Sequence, residues 1–288
     1  MSKPDLILTS DWHLRESTPV SRIDDFWEAQ WRKVDFVSFL QKEYDCPVIH
    51  AGDLFHIWKP SPRLLSYAIQ RLPKEFYTLY GNHDLPQHNL LLKEKTGIYT
   101  LQQANILKVL ECCHWDKPPD KASFEVAGKK ILVWHYFVYQ LGNKDVYMSE
   151  IGKNSNLLLR KYKQFDLIVT GDNHQSFMES LHGRTLINPG SLMRQSANQL
   201  DFQPKVYLYY AKENRVEVVP IPIENDVFDL SHLKVQQEKD ERIQAFVESL
   251  NKDWKSTISF EENLRIFFEK NNVDNQIRNL ILEALENE

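Results

Sequence analysis

Five short stretches of this chain set cation-binding side chains at the ends of apolar runs. Asp11 and His13 follow Leu6-Ile7-Leu8, and Gly52-Asp53 follows Val48-Ile49-His50. Gly81-Asn82-His83-Asp84 follows the run from Phe76 to Tyr80. His135 ends Ile131-Leu132-Val133-Trp134, and Asp172 and His174 follow Leu167-Ile168-Val169. Such runs read as buried strands, and in open α/β sheets ligands gather beyond the carboxyl ends of strands. Carboxylate and amide oxygens mixed with imidazoles suit Mn²⁺ first, with Fe²⁺, Zn²⁺ and Mg²⁺ as alternatives, rather than an all-oxygen calcium cage. No cysteine joins the set, which speaks against a structural zinc site. Asp11, His13, Asp53, Asn82, His83, His135, Asp172 and His174 together exceed what one ion can use. Two ions sharing a bridging carboxylate would occupy most of them, activate a water and clamp both oxygens of an in-line displacement at phosphorus. The residues therefore point to a dinuclear phosphoesterase. Singly, each stretch has an ordinary reading as a turn or a capped loop; five in succession do not.

The elements that must position these groups alternate at first. After the strand at 6–9, the spacing of Phe26, Trp27, Trp31, Val34, Val37 and Leu40 predicts a helix over 25–44. A strand at 48–50, a helix at 62–71 opened by Pro62, a strand at 76–79 and a short helix through Leu90 follow. From Ile106 strands dominate: 106–109, 123–126, 130–134, 166–170, 177–181, 184–187, 206–210 and 216–219, with one helix at 156–163. Ala127-Gly128-Lys129-Lys130 is a hairpin signal. Alternating strands and helices followed by strands imply an α/β fold: a two-sheet β-sandwich flanked by helices. Pro220 and Pro222 mark a boundary, giving a catalytic domain over 1–222 and a helical region over 223–288. In that tail Ser259-x-x-Glu262 has the form of a capping box.

At 288 residues the chain suits one large domain and a small appendage. No run approaches the roughly 18 apolar residues of a membrane span, and the first residues lead straight into a strand, so neither a membrane anchor nor a signal peptide is expected. Three cysteines, two adjacent, form no disulfide framework, which suggests a reducing, cytoplasmic setting. A net charge of −5 supplies no global attraction to nucleic acid, although a metal site and local basic patches hold phosphates on acidic proteins.

Asp11-x-His13, Gly52-Asp53, Gly81-Asn82-His83-Asp84, His135 and Gly171-x-x-His174 resemble, in order, the five motifs of the calcineurin-like metallophosphoesterases. Ser10-Asp11-Trp12-His13-Leu14 and the long spacing before Gly52-Asp53-Leu54-Phe55 are similar to the SbcD-type branch, the nuclease subunits of DNA-break repair. The resemblance spans about residues 5–210. It implies the metallophosphoesterase fold, with Asp11, His13 and His174 on one ion, Asp53 bridging, and Asn82 and His135 on the second. His83 would then protonate the departing alkoxide while Asp84 orients its ring. An imidazole suits a general acid near neutrality. The chain departs from the family in its last motif: Asp172 stands where an imidazole is usual. Either its carboxylate coordinates the second ion and favours Mn²⁺, or it turns away and that ion is weak.

The resemblance also implies DNA as substrate and a C-terminal helical element that docks on an SMC-like ATPase of the SbcC type; a homodimer is compatible with it. The residues left after Glu224 are too few for the capping domain of that branch, so the tail is either a brace or a docking element. The rivals are a phosphodiesterase or phosphatase acting on small nucleotides or phosphoproteins, and a scaffold without metals. Around the centre, His56 and His88 could line the groove, and Arg194, after the turn Asn188-Pro189-Gly190-Ser191, could pair with a substrate phosphate. Tyr136, Tyr139 and Tyr147 could stack on bases.

Overall fold

The computed structural model describes residues 2–110, 120–140, 153–229, 231, 260–270, 273–275 and 277–279. The first strands, β1 (Leu6–Thr9), β2 (Val48–His50), β3 (Phe76–Thr78) and β4 (Lys108–Val109), run parallel. Antiparallel β12 (Lys205–Tyr210) and β13 (Arg215–Pro220) extend them into a six-stranded sheet ordered β13-β12-β1-β2-β3-β4. A second, five-stranded sheet is ordered β10-β11-β9-β6-β5, from β5 (Phe124–Val126), β6 (Lys129–Trp134), β9 (Leu167–Thr170), β10 (Phe177–Leu181) and β11 (Arg184–Asn188). Within it β6, β9 and β11 are parallel. A two-stranded ribbon joins β7 (Val138–Tyr139) to β8 (Lys153–Asn154).

Alternation along the strands builds three apolar layers. Leu6, Leu8 and Ile49 of the first sheet pack with Ile131, Val133, Leu167 and Val169 of the second, forming the interior of the sandwich. Ile7, Val48 and Phe76 face the other way, onto α1 (Phe26–Tyr44), α2 (Pro62–Arg71) and α3 (Gly97–Gln103) through Trp31, Val34, Ala68, Ile98 and Leu101. Leu132, Trp134 and Ile168 of the second sheet cover α4 (Ser155–Lys161) through Leu158 and Leu159. Strands buried on both faces need apolar residues at every position, which is why β1 and β9 read as unbroken runs.

Local chemistry sets the ends of the helices. Asp25 accepts from the Glu28 amide at the start of α1, and Asp45, at φ 51°, closes it in the left-handed conformation. Ser61 caps α2 ahead of Pro62. The helix α3 was invisible in the sequence pattern because glycine opens it. Pro60 lies so close that a Cβ at Gly97 would stand 2.3 Å from the proline ring, and Thr96 supplies the cap to Tyr99. The expected helix at Leu90 is a 3₁₀ helix, Leu90–Lys95.

The chain divides into units Met1–Asp229 and Leu230–Glu288, later than the boundary expected after residue 222. Ile221 is fully buried in the helix-side layer and Val227 is 4% exposed, while the Val227 carbonyl accepts from Ile23 and the Asp229 amide donates to Ser21. These bonds tie 223–229 to the first unit. In the second unit α5 (Phe260–Lys270) buries Leu264, Phe267 and Phe268 beside Val273. Ser259, the remaining tail positions, Tyr147, Cys112 and Cys113 lie outside the described residues. Among the described residues no helix is long and apolar enough to cross a membrane.

Trp12 shows how fold and site share one segment. Its indole is fully buried against His50 and Phe76 and donates to Thr9 Oγ1 at 2.8 Å. Trp12→Ala is expected to cost about 3–5 kcal/mol in urea unfolding. Divalent-cation affinity should fall with it, because the indole anchors the turn that carries Asp11 and His13.

Candidate metal centre

The loops after β1 and β2 are zipped together by backbone bonds. Asp11 donates to Gly52 O, His13 to Asp53 O and Leu14 to Leu54 O, at 2.9–3.0 Å. Asp11, His13, Asp53 and Asp172 all adopt positive φ, at 50°, 45°, 59° and 73°. Left-handed backbone at non-glycine residues costs on the order of 1–3 kcal/mol each, less for Asp and His, and it turns four potential donors toward one point. The turn at Asn188–Ser191 holds the far side. Ser191 donates to His174 O at 3.1 Å, Leu192 to Asp11 O at 3.2 Å and Ser10 Oγ to Gly190 O at 3.1 Å.

At the centre lies Asp53, 1% exposed. Its Oδ2 stands 3.5 Å from His13 Nε2 and 3.4 Å from His135 Nε2. On the first side His13 Nε2 is 3.1 Å from His174 Nε2 and 4.0 Å from Asp11 Oδ1. On the second side His135 Nε2 is 2.9 Å from Asn82 Oδ1 and 3.9 Å from Asp172 Oδ1. Donors bound to one ion at about 2.0–2.2 Å lie roughly 3–4 Å from one another; five of the six separations fall in that range and the sixth, at 2.9 Å, lies at its lower edge. Asp11 Oδ2 and His13 Nδ1 are buried without a hydrogen-bond partner. An orphaned buried carboxylate oxygen is costly unless a cation meets it. This donor set therefore fits divalent ions.

Close packing explains the motif glycines. A Cβ on Gly81 would lie 2.1 Å from Asp53 Oδ1. Gly52, at φ +93°, would place one 2.5 Å from His135 Nδ1. That nitrogen donates to Ala51 O at 2.8 Å, which leaves Nε2 as the coordinating atom.

Electrostatics follow from crowding. Burial pushes the Asp11 carboxyl up to about 7, against the pull of His135. Burial also opposes ionisation of Asp53, but the charge and hydrogen bond of His135, with His13 and His83, hold it well below the usual carboxylate range. His135 goes up to about 10: desolvation works against its charge, and Asp53, Asp11 and Asp172 overcome it. Its Nδ1 donates to Ala51 O, and its Nε2 lies 2.9 Å from Asn82 Oδ1. Burial drives His13 well below the ordinary imidazole value.

A family model of the calcineurin-like phosphoesterase superfamily domain matches residues 5–209. The chain belongs to the calcineurin-like phosphoesterase superfamily. Members of this superfamily work with two metal ions. The DNA double-strand break repair protein Mre11 of Haloferax volcanii is 28% identical over 235 residues, covering 75% of this chain and 49% of that protein. The chain thus spans about half the length of this curated relative. Among solved structures, an archaeal phosphodiesterase aligns with 75% of this chain and 98% of its own, at 15% identity and TM-score 0.41. Vps29 of Entamoeba histolytica complexed with zinc aligns with 75% of this chain and 99% of its own, at 15% identity and TM-score 0.33.

The structure corrects or refines four of the expectations drawn from the residues. Asp84 does not orient His83. Its carboxylate accepts from the amides of Leu54, Phe55 and Gly81, and the His83 ring is held instead by Nδ1 against the His56 carbonyl at 2.8 Å. Arg194 does not present itself to a phosphate in the metal centre. It is 6% exposed, bonded to Leu200 O and Glu224 O, and lies over Phe228. One face of the Tyr136 ring is covered by Trp134, with centroids 4.2 Å apart, which is packing rather than an open platform. His56 does reach the centre: its ring stacks on His83 and lies 5.9 Å from His13. The roles of its carbonyl and of the Asp84 carboxylate had no signal in the sequence, because both act through main-chain bonds between distant loops.

Ion binding must displace the His135 proton and whatever proton Asp11 holds, and both are more protonated than in an unfolded chain. The sign follows. The raised His135 value stabilises the metal-free fold fully below its ordinary 6.5, and this is lost as pH rises through about 10, while cation affinity rises with pH. Calorimetry of manganese uptake at pH 7 in buffers of different ionisation heat is expected to show about one to two protons released per protein. Uptake with no proton release would contradict this.

Proposed function

We propose that this chain is a metal-dependent DNA phosphodiesterase of the SbcD type, with Mn²⁺ as the favoured ion. Asp11, His13 and His174 would hold one ion, Asn82, His135 and Asp172 the other, and Asp53 both. The observation that carries the reading is the near-equal distance of Asp53 Oδ2 from His13 and His135, 3.5 and 3.4 Å. A single buried carboxylate between two nitrogen-containing nests is what a dinuclear centre needs. Asp172 supports its own assignment by facing His135 while its amide donates to Asp11 Oδ1 at 3.0 Å. DNA is favoured by the similarity to Mre11.

When bound, the two ions supply Lewis acidity, lowering the pKa of an attacking water and neutralising charge at phosphorus. The protein orients the donors and moves the other proton. His83 is exposed at the mouth, its ring edge-on to His13 with centroids 4.7 Å apart. With Nδ1 committed to the His56 carbonyl, Nε2–H is the group left to protonate the departing sugar oxygen. Asp84 pins the amides on which that geometry rests. In the second unit, exposed Ile266 and Ile277 offer apolar contacts for docking on an SMC-like ATPase.

The reading is tested with manganese on linear duplex DNA, single-stranded DNA and bis-p-nitrophenyl phosphate in parallel. Both DNA and the small diester are expected to be cleaved; cleavage of the diester alone would move the substrate to small phosphodiesters. His83→Ala should leave two ions bound and reduce turnover by about 10²–10⁴-fold. Asp172→Ala should lower the metal stoichiometry from two toward one. A wild-type stoichiometry of one, unchanged in that variant, would remove Asp172 from the site.

A further inference from the structure

A second cavity lies in the first unit, between α1 and the chain after β13. Its volume is about 490 Å³, within the range of small-molecule sites. Arg22, Arg32, Lys33 and Arg194 line it with two acids, Asp35 and Glu224, and with Phe36 and Phe39; Asp35 is already paired with Arg71 at 2.7 Å. Four cations in one pocket are unexpected on a chain of net charge −5. Two of them are neutralised: Arg22 pairs with Asp24 at 2.6 Å and Arg32 with Glu224 at 2.7 Å. The other two are not. Lys33 Nζ donates to Pro222 O at 2.9 Å, and Arg194 donates to Leu200 O and Glu224 O. Among the described residues neither forms an ion pair, although Lys33 is 9% and Arg194 6% exposed.

Buried charges are normally paired. Lys33 and Arg194 rest on carbonyl oxygens without a carboxylate partner of their own, and an anion in the cavity they line would supply one. Burial and the neighbouring Arg194 and Arg22 push the Lys33 ammonium down to about 8, a repulsion that an anion would relieve. The other wall is apolar. Phe36 is half-buried and Phe39 is 58% exposed, so an aromatic partner in the cavity has ring surface to meet. A phosphomonoester carries about −1.5 to −2 charges at neutral pH, matching two cations where a carboxylate would match one.

We propose that this cavity is a binding site for an aromatic phosphomonoester of nucleotide size. The phosphoryl group is held by Lys33 and Arg194, and the ring lies against Phe36 and Phe39. The site is separate from the metal centre and does not depend on what that centre hydrolyses.

The test is calorimetric titration of the full chain with adenosine 5′-monophosphate, adenosine and inorganic phosphate. The monophosphate is expected to bind at least about tenfold more tightly than either fragment, since each fragment fills half the site. Lys33→Gln should weaken it by about tenfold or more, the loss of one charge-assisted bond. Phe39→Ser alters an exposed residue, tests the same site without threatening the fold, and should weaken binding about three- to tenfold. Asp53→Asn, which strikes the metal centre, should leave binding intact. Failure of the proposed nuclease activity would then not touch this result. Absence of binding, or binding lost in Asp53→Asn and unchanged in both pocket variants, would overturn the proposal. Phosphate alone binding as tightly as the nucleotide would do so as well.

Discussion

Everything in the first unit answers to the placing of one ionised carboxylate, that of Asp53, out of water. A buried charge survives only with partners. Here the partners come from both sides: the imidazoles of His13 and His135 flank Oδ2, and the His83 amide donates to Oδ1 at 2.9 Å. The residue cannot shift to ease its position, because Gly81 leaves no room even for a methyl group beside Oδ1. Gly52 similarly gives the His135 ring its close seat. The motif glycines are thus clearances around a charge rather than points of flexibility.

Such a centre is built at a loss. Four of its donors sit on left-handed backbone, and several carboxylates and imidazoles are crowded where each would be more comfortable apart. The two-sheet interior offsets this. Leu6, Leu8, Ile131, Val133, Leu167 and Val169 are fully buried, at roughly 1.5–3 kcal/mol per large apolar side chain. The same strands that supply the apolar surface end where the donors begin, so stability and strain are laid down by neighbouring residues. Trp12, anchored in the core between Asp11 and His13, is the plainest case.

Much of this was legible in the residues. Strands buried on both faces announce themselves as apolar runs, and α1 and α2 as periodic stripes with Asp25, Ser61 and Pro62 at their starts. The convergence of Asp11, His13, Asp53, Asn82, His135, Asp172 and His174 could be anticipated because each follows a strand end. What escaped depends on contacts between segments remote in the chain. Asp84 turned out to serve amides thirty residues upstream as well as the neighbouring Gly81. The His83 ring is steered by a carbonyl, and a carbonyl has no residue-type signature. Arg194 reads from sequence as a contact for a substrate phosphate, and the course of 222–229, with Leu200, buries it instead. The helix α3 began with a glycine that periodicity counts against it, although tight packing on Pro60 is the reason for that glycine.

The candidate donors are divided between the layers: Asp11, Asp53 and Asn82 leave the first sheet, His135, Asp172 and His174 the second. The Nδ1–H of His135 reaches across to Ala51 O at 2.8 Å and the Asp172 amide to Asp11 Oδ1 at 3.0 Å, so hydrogen bonds already stitch the layers. Any cation seated among these groups acts as a rivet through the sandwich, and the spacing between the two layers becomes part of its coordination. Sliding of one sheet over the other would then be resisted at the rim where the donors meet.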